Sequence, residues 1–337
     1  MKKIILFLTV SLIFISCKKE VEIVPYNDFK IEYPDYFPEP VYKFTNNGQT
    51  RTRFELGRKL FYDPLLSSDG SISCASCHAQ AHAFADHNVK FSLGVNEQYG
   101  LRNSPSITNL AWYPSFMWDG GVNHIEVFPV APITNPLEMN ETMANIVAKM
   151  NANNEYKLLF KKNYGVDNVT DQAILRALTQ FMTMIVSSNS KYDDYRRGKI
   201  TFNQEESDGF TLFQNKCASC HKEPLFTDFT YQNNGIDAVF EDLGRGKITL
   251  NPLDNGKFKV PSLRNVELTY PYMHDGRFQN LDQVLNHYSS NIKNSPTLSN
   301  LLTGNMNLTS SEKTKIIAFL KTLTDYSLIN NYELGQH

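Results

Sequence analysis

The chain has almost no surplus of charge. Its 33 Lys and Arg stand against 35 Asp and Glu, a net charge of −2, and no long basic run occurs. The electrostatic footprint of a nucleic-acid binder is therefore missing, and no nucleic-acid partner is expected. Long apolar runs are missing too. The N-terminal stretch 4–15 is too short to span a bilayer as a permanent helix. Strand-like runs are scarce. There are only 5 cysteines, and four of them fall in two copies of one short motif, so no pair is left for a disulfide.

That motif is Cys-Ala-Ser-Cys-His, at 74–78 and again at 217–221. It is the signature for covalent attachment of c-type haem. Two cysteines add across the vinyl groups of a porphyrin, and the adjacent histidine becomes an iron ligand. Cys74, Cys77 and Cys217, Cys220 are the attachment residues, and His78 and His221 the ligands. One copy alone could be a chance match or a redox pair; two identical copies indicate a two-haem redox protein.

The fifth cysteine explains the N-terminus. Met1-Lys2-Lys3 is basic, 4–15 is apolar, and Ser16-Cys17 follows. This fits a secretory signal over 1–16, with a lipid on Cys17 anchoring the protein to a membrane. Phe14 stands where leucine is commoner in lipoprotein signals, and simple secretion is the alternative. Residues 17–45, rich in Pro, Tyr and charge, read as a lipoprotein tether. An exported, periplasmic and lipid-anchored location suits haem attachment, which in bacteria takes place outside the cytoplasm.

The rest shows an internal duplication. Leu56-Gly57-Arg58-Lys59-Leu60-Phe61, the first motif and Phe84-Ala85-Asp86 are echoed by Gly209-Phe210-Thr211-Leu212-Phe213, the second motif and Phe226-Thr227-Asp228. Helical spacing of apolar residues runs over 143–160 and 171–187. Asn203 with Glu206, and Thr309 with Glu312, make capping pairs. The expected fold is mainly α, two cytochrome c-like haem domains with long loops and little β. The boundary falls near Arg196-Arg197-Gly198-Lys199, giving an N-terminal haem domain over 46–200 and a C-terminal haem domain over 201–337.

What faces each iron opposite its histidine decides function: six strong ligands pass electrons, an open position binds peroxide. Here the sequence resembles a known family. Arg102-Asn103-Ser104-Pro105, Met117-Trp118-Asp119-Gly120-Gly121 and Pro132-Ile133-Thr134-Asn135-Pro136-Leu137-Glu138-Met139 look like the first-haem pocket of bacterial di-haem cytochrome c peroxidases. Val260-Pro261-Ser262-Leu263-Arg264-Asn265 and Thr269-Tyr270-Pro271-Tyr272-Met273-His274-Asp275-Gly276 continue the likeness, which covers about residues 50–325. The same superfamily holds the di-haem enzyme that matures the tryptophan-derived cofactor of methylamine dehydrogenase.

The resemblance implies that the haem on His78 is the peroxide site. Glu138 is then its distal acid–base and Pro132 a pocket-shaping residue; the bland reading of Glu138 is a helix cap. Trp118 would lie between the haems; Trp112 has no motif and reads as core. The family's pocket glutamine falls on Phe128, which cannot hydrogen-bond peroxide, so Glu138 would carry the proton work alone. The family's gating histidine falls on Val95, which implies an open first iron needing no reductive activation; His82 and His87 are loop histidines that could cap it instead. The second haem's distal position falls on Tyr288, with His287 and Met273 as rivals. A phenolate there stabilises ferric iron and lowers the potential. The family's calcium would take Asn103 by its side chain and Thr269 and Pro271 by their carbonyls.

Three functions compete. The first is reduction of hydrogen peroxide with electrons from a small cytochrome c or cupredoxin, entering at the second haem and passing Trp118. The second is peroxide-dependent oxidation of a protein or organic substrate. Tyr288 favours it; Asn215 and Lys216, where the cofactor-maturing enzyme has a relay tryptophan, speak against it. The third is plain electron transfer, against which Glu138 counts. Homodimers are common in the family, but no motif here demands one. Tyr192 and Tyr195 read equally as interface or core.

Overall fold

A computed structural model describes residues 29–302 and 304–337. The expected signal, 1–16, and Cys17 lie outside the described residues. In chain order the helices are α1 (Arg51–Tyr62), α2 (Cys74–Cys77), α3 (Val130–Thr134), α4 (Met143–Ala152), α5 (Asn154–Tyr164), α6 (Asp171–Thr183), α7 (Lys191–Arg196) and α8 (Gln204–Lys216), followed by α9 (Arg245–Thr249), α10 (Leu281–Ser290), α11 (Ser310–Lys321) and α12 (Tyr326–Ile329). The strands β1 (Tyr231–Gln232) and β2 (Phe258–Lys259) pair antiparallel, with Tyr231 opposite Lys259. The fold is mainly α with long loops and little β, as expected. No described helix is long and apolar enough to cross a membrane.

The helices start where the sequence supplies caps. Thr50, Thr142 and Thr170 accept from the third residue beyond, and Asn203 with Glu206 and Thr309 with Glu312 form reciprocal capping boxes. The expected helix over 143–160 is interrupted. Asn153 is extended, and its side chain accepts from Glu155 and Tyr156, so a new helix begins there. Local capping by asparagine outcompetes continuation of the first helix.

Each half is built on one tight helix pair. In α1, Gly57 lies so close to α6 that a Cβ would stand 2.0 Å from the Ala177 carbonyl oxygen. In α8, Gly209 meets the Lys315 carbonyl oxygen of α11 in the same way, at 1.9 Å. The first pair buries Phe54, Phe61, Ile174 and Phe181 with Phe84 and Phe160. The second buries Phe213, Ile316 and Phe319 with Phe226 and Tyr192. Tyr192 is thus core, and Tyr195 stacks on Phe202 with centroids 4.2 Å apart.

Two expected boundaries shift. The C-terminus does not stay with its own half: Leu328 and Leu334 join the first core, Arg58 donates to the Glu333 carbonyl at 2.7 Å, and Tyr62 to that of Leu334 at 2.8 Å. Nor is the described part of the expected tether, 29–45, free of the body. Its aromatic residues find apolar partners: Phe37 packs edge-on to Trp112 and under the Arg264 guanidinium. Trp112 donates to the Pro38 carbonyl at 2.6 Å, and Tyr36 to Asp193 at 2.7 Å. Asp193 itself forms a fully buried bidentate pair with Arg264, both contacts 2.9 Å.

The duplication extends to the backbone of the loops. Asn109 and Asn265 share φ of 59° and 60°, Met117 and Met273 of 68° and 75°, Gly120 and Gly276 of 70° and 63°. The copies meet at a junction where they exchange hydrogen bonds: Asn103 N–H donates to the His274 carbonyl at 2.8 Å, and Lys259 N–H to that of Trp118 at 2.7 Å.

Replacing Gly57 or Gly209 by alanine should overpack the helix crossing and destabilise the protein by about 1–3 kcal/mol each. Thermal unfolding followed by circular dichroism checks this; unchanged midpoints would mean the helices can separate without penalty.

Candidate functional site

The two attachment turns are built alike. α2 starts at Ser73, which with Ser76 forms a capping box around Cys74 and Cys77. His78 N–H bonds the Cys74 carbonyl at 3.0 Å, and His221 N–H that of Cys217 at 3.0 Å. Each cysteine pair and its histidine thus sit on one turn. Burial pushes the Cys74 and Cys217 thiols up to about 12 and Cys77 to about 11. These are neutral thiols, unlike the low-pKa thiolates of redox or metal-binding pairs.

The histidines are oriented by carbonyls. His78 Nδ1 lies 3.0 Å from the Phe84 carbonyl; His221 Nδ1 lies 3.2 Å from that of Phe226 and 3.1 Å from that of Pro261. A carbonyl only accepts, so Nδ1 carries the proton and Nε2 offers its lone pair. Desolvation lowers both histidines below their usual range and keeps them neutral, opposed by those same carbonyls. Phe84 and Phe226 hold φ of 58° and 54°. A left-handed aromatic is strained, and the same strain recurs in both copies beside the same contact.

A largely apolar cavity runs through both halves, from Pro105, Phe116 and Phe128 to Cys217, His221 and Tyr288. Of the two attachment turns its lining includes the second, Cys217, Cys220 and His221, whose chemistry suits a covalently held haem. Among the described residues no cluster of three or more His, Cys, Asp or Glu suggests a different metal.

Around the first attachment site, the loop after α3 folds back on Pro132, whose carbonyl accepts from Met139 N–H at 3.2 Å. This turn presents Glu138. Asn135 Nδ2 donates to Glu138 Oε1 at 2.8 Å, and Asn135 O accepts from Glu138 N–H at 3.0 Å. Burial raises Glu138 above the usual carboxylate range, against the lowering effect of Asn135. Its charge adds a minor upward push to the Cys77 thiol, which places it within electrostatic range of the first attachment turn. Val95 is buried and donates its N–H to the Glu138 carbonyl at 2.8 Å. Phe128 stacks on Phe116, centroids 5.1 Å apart. Asn135 belongs to the motif read from sequence but had no role assigned; its clamp on Glu138 needs the folded turn.

His82 and His87 stack on one another at 3.5 Å, nearly parallel, and His87 Nε2 lies 3.3 Å from the Tyr270 hydroxyl. Trp118 donates its indole N–H to the Asn103 carbonyl at 2.8 Å, at the junction of the halves. Trp112, fully buried, is core. Across the second attachment site Tyr288 and Met273 both line the cavity. Asn234 Nδ2 stands 3.4 Å from each, at Tyr288 Oη and Met273 Sδ. Burial pushes the Tyr288 phenol up to about 12. His287 is turned away, its Nε2 3.0 Å from the Asn234 carbonyl. Asn103, Thr269 and Pro271 line the same cavity; Asn103 Nδ2 is taken by the Val89 and Lys90 carbonyls at 3.2 and 3.3 Å.

A helical chain with two haem-attachment turns, meeting at one hydrogen-bonded junction, defines a di-haem cytochrome c. Comparison narrows this. Residues 51–201 match the family Di-haem cytochrome c peroxidase, and 206–324 match Cytochrome c. The chain is 38% identical over 279 residues to the cytochrome c551 peroxidase of Nitrosomonas europaea, covering 80% of this chain and 79% of that protein. It is 32% identical over 304 residues to the methylamine utilization protein MauG of Methylophilus methylotrophus, covering 87% and 88%. A solved structure of a MauG-like protein associated with microbial copper homeostasis aligns with a TM-score of 0.83 at 32% identity, over 90% of this chain and 98% of that one. The chain belongs to the di-haem cytochrome c peroxidase family, and it is an oxidoreductase of that type with two haem c groups.

Changing Cys217 and Cys220 together to alanine should leave a protein with one covalent haem, on the first motif. Intact-mass measurement checks this; two haems still bound would refute the assignment of the second turn.

Proposed function

We propose that this protein reduces hydrogen peroxide to water, with electrons from a small exported cytochrome c or cupredoxin. The observation that carries the reading is Glu138: a desolvated carboxyl oriented by Asn135, within electrostatic range of Cys77 in the first attachment turn. The haems, which Cys74, Cys77, His78 and Cys217, Cys220, His221 would hold, would supply electron storage and an iron to bind peroxide. Peroxide takes up two electrons and two protons and yields two waters. Glu138 as carboxylate accepts a proton from one peroxide oxygen and returns it to the leaving one. Pro132 and Asn135 fix its position. Phe128 and Val95 exclude water and add no competing ligand. Trp118, hydrogen-bonded at the junction, is the chain's own contribution to electron passage between the haem sites.

Tyr288 supports a second reading, peroxide-driven oxidation of a protein or organic substrate. As an iron ligand it would favour the oxidised state of the second haem. Asn103, with its amide nitrogen occupied by carbonyls, has its oxygen free for a hard cation. With the Thr269 and Pro271 carbonyls it suits calcium, which would hold the halves in register. The sequence before residue 18 further suggests export and a lipid on Cys17.

Rapid mixing of the fully oxidised protein with one equivalent of peroxide should give a fast absorbance change; none would mean the first iron is closed. Glu138→Gln should slow that step about 10²–10⁴-fold. In the parent the rate should fall on acidification at a pH above that of an ordinary glutamate, because the carboxylate is the active form and its pKa is raised. A variant as fast as the parent would move the proton transfer elsewhere. Reduced cytochrome or an organic donor, added to the oxidised species, separates the two readings by which is consumed. Tyr288→Phe should alter the ferric spectrum of the second haem while Met273→Leu leaves it; the reverse outcome would make Met273 the ligand.

A further inference from the structure

Lys259 is a buried lysine that the chemistry above does not use. It is 6% exposed, and among the described residues no carboxylate lies within ion-pair reach of its ammonium. Its Nζ donates to the Ser115 carbonyl and stands 5.4 Å from the centroid of Tyr113 and 6.0 Å from that of Phe116. A lone buried cation is expensive to keep, so its place in the fold calls for a reason.

The duplication supplies one. Asn103-Ser104-Pro105-Ser106 and Lys259-Val260-Pro261-Ser262 occupy the same place in the two copies. Ser106 and Ser262 each donate to a carbonyl at 2.6 Å, and Asn103 and Lys259 each donate their backbone N–H across the junction. The relation that carries Asn103 onto Lys259 carries Thr269 and Pro271 onto Tyr113 and Ser115. In one copy a neutral amide side chain, Asn103, lines the cavity together with Thr269 and Pro271. In the other, the side chain at the same position is itself a cation, and it bonds the carbonyl of Ser115. Where one side of the junction presents neutral oxygens, the other carries its own positive charge.

The charged and titratable groups facing Lys259 come from each element packed on it. Asp119, on the loop after Trp118, favours the charge; Arg245, from α9, opposes it. Asp119 is held by Arg102 at 2.6 Å, and Arg245 caps the Asp119 and Gly120 carbonyls. Tyr231 lies opposite in the strand pair, and Tyr113 lies under the ammonium. Desolvation wins, and the amine is pushed down to about 7.

We propose that Lys259 is a positioning residue for electron transfer between the two haem sites: its ammonium is a chain-tethered cation at the junction, bound beside Trp118, that favours the reduced state of the adjoining haems and is lost as the medium turns alkaline. The only bond that changes is one N–H, whose proton goes to solvent; the electron passes between the irons with no atom transferred. A positive charge held in a poorly polarisable site stabilises an arriving electron far more than one in water. The part played by Trp118 rests on the reading in the preceding section, whereas the effect of the cation on the haem couples does not.

The test is an optical redox titration of the intact di-haem protein from about pH 6 to about pH 9, for the parent, Lys259→Met and Lys259→Arg. In the parent, the midpoint potential of at least one haem should fall as pH rises through neutrality. Lys259→Met should start lower at the acid end and lose that fall. Lys259→Arg keeps the charge throughout, so it should stay high and lose the fall as well. A fall that persists in either variant, or its absence in the parent, overturns the proposal. Covalent haem content reports folding of each variant; if Lys259→Met does not fold, Lys259→Arg still decides. No peroxide enters the measurement, so a protein inert to peroxide would sink the peroxidase reading and leave this one standing.

Discussion

The exchange of two backbone hydrogen bonds at the centre, Asn103 to His274 and Lys259 to Trp118, is the constraint on which the rest depends. Each helix pair can bury only its own apolar stripe, and neither can cover both faces of a flat macrocycle. The loops must do that, and loops hold a fixed position only where their polar backbone groups are paired. The exchange pairs them across the copies. It sets Trp118 between the halves, turns the Asn103 carbonyl to receive the indole, and carries the Lys259 side chain into the first half. The chain ends reinforce the same union: Tyr36 and Phe37 pack onto Asp193 and Arg264, and Leu328 and Leu334 close the first core.

Within that frame the two haem sites are the same device set to different ends. Both fix a neutral histidine by a carbonyl at Nδ1, at the expense of a left-handed aromatic residue. The difference lies on the opposite face. In the first half Glu138 is raised by burial and steered by Asn135. The second offers a phenol and a thioether bridged by Asn234. An apolar pocket with one carboxyl suits proton shuttling on a bound oxidant, because an apolar wall keeps the proton from water. A wall with soft or anionic donors suits holding an iron whose role is to pass charge.

The family likeness constrains the reaction type more firmly than the substrate. Relatives named as cytochrome c peroxidases and as MauG resemble this chain at 38% and 32% identity over most of both lengths. Membership makes the chain a di-haem oxidoreductase of the peroxidase type.

Much was legible in the sequence because it depends on covalent or local rules. Two Cys-Ala-Ser-Cys-His turns fix two haems whatever the tertiary fold. Capping pairs such as Asn203 with Glu206 start helices without help from distant residues. The Glu138 motif names its residue because one short loop carries it. What only the tertiary structure decided depends on partners far apart in the chain. Residues 17–45 read as a tether since composition cannot show that Phe37 meets Arg264. His287 reads as a rival of Tyr288 in the sequence, and only the fold shows that its Nε2 meets the Asn234 carbonyl. The burial of Lys259 comes from Ser115, Tyr113 and Phe116, which are remote in sequence and brought near by the junction. Local chemistry is written in spacing, whereas burial and long-range pairing exist only once the two copies close on each other.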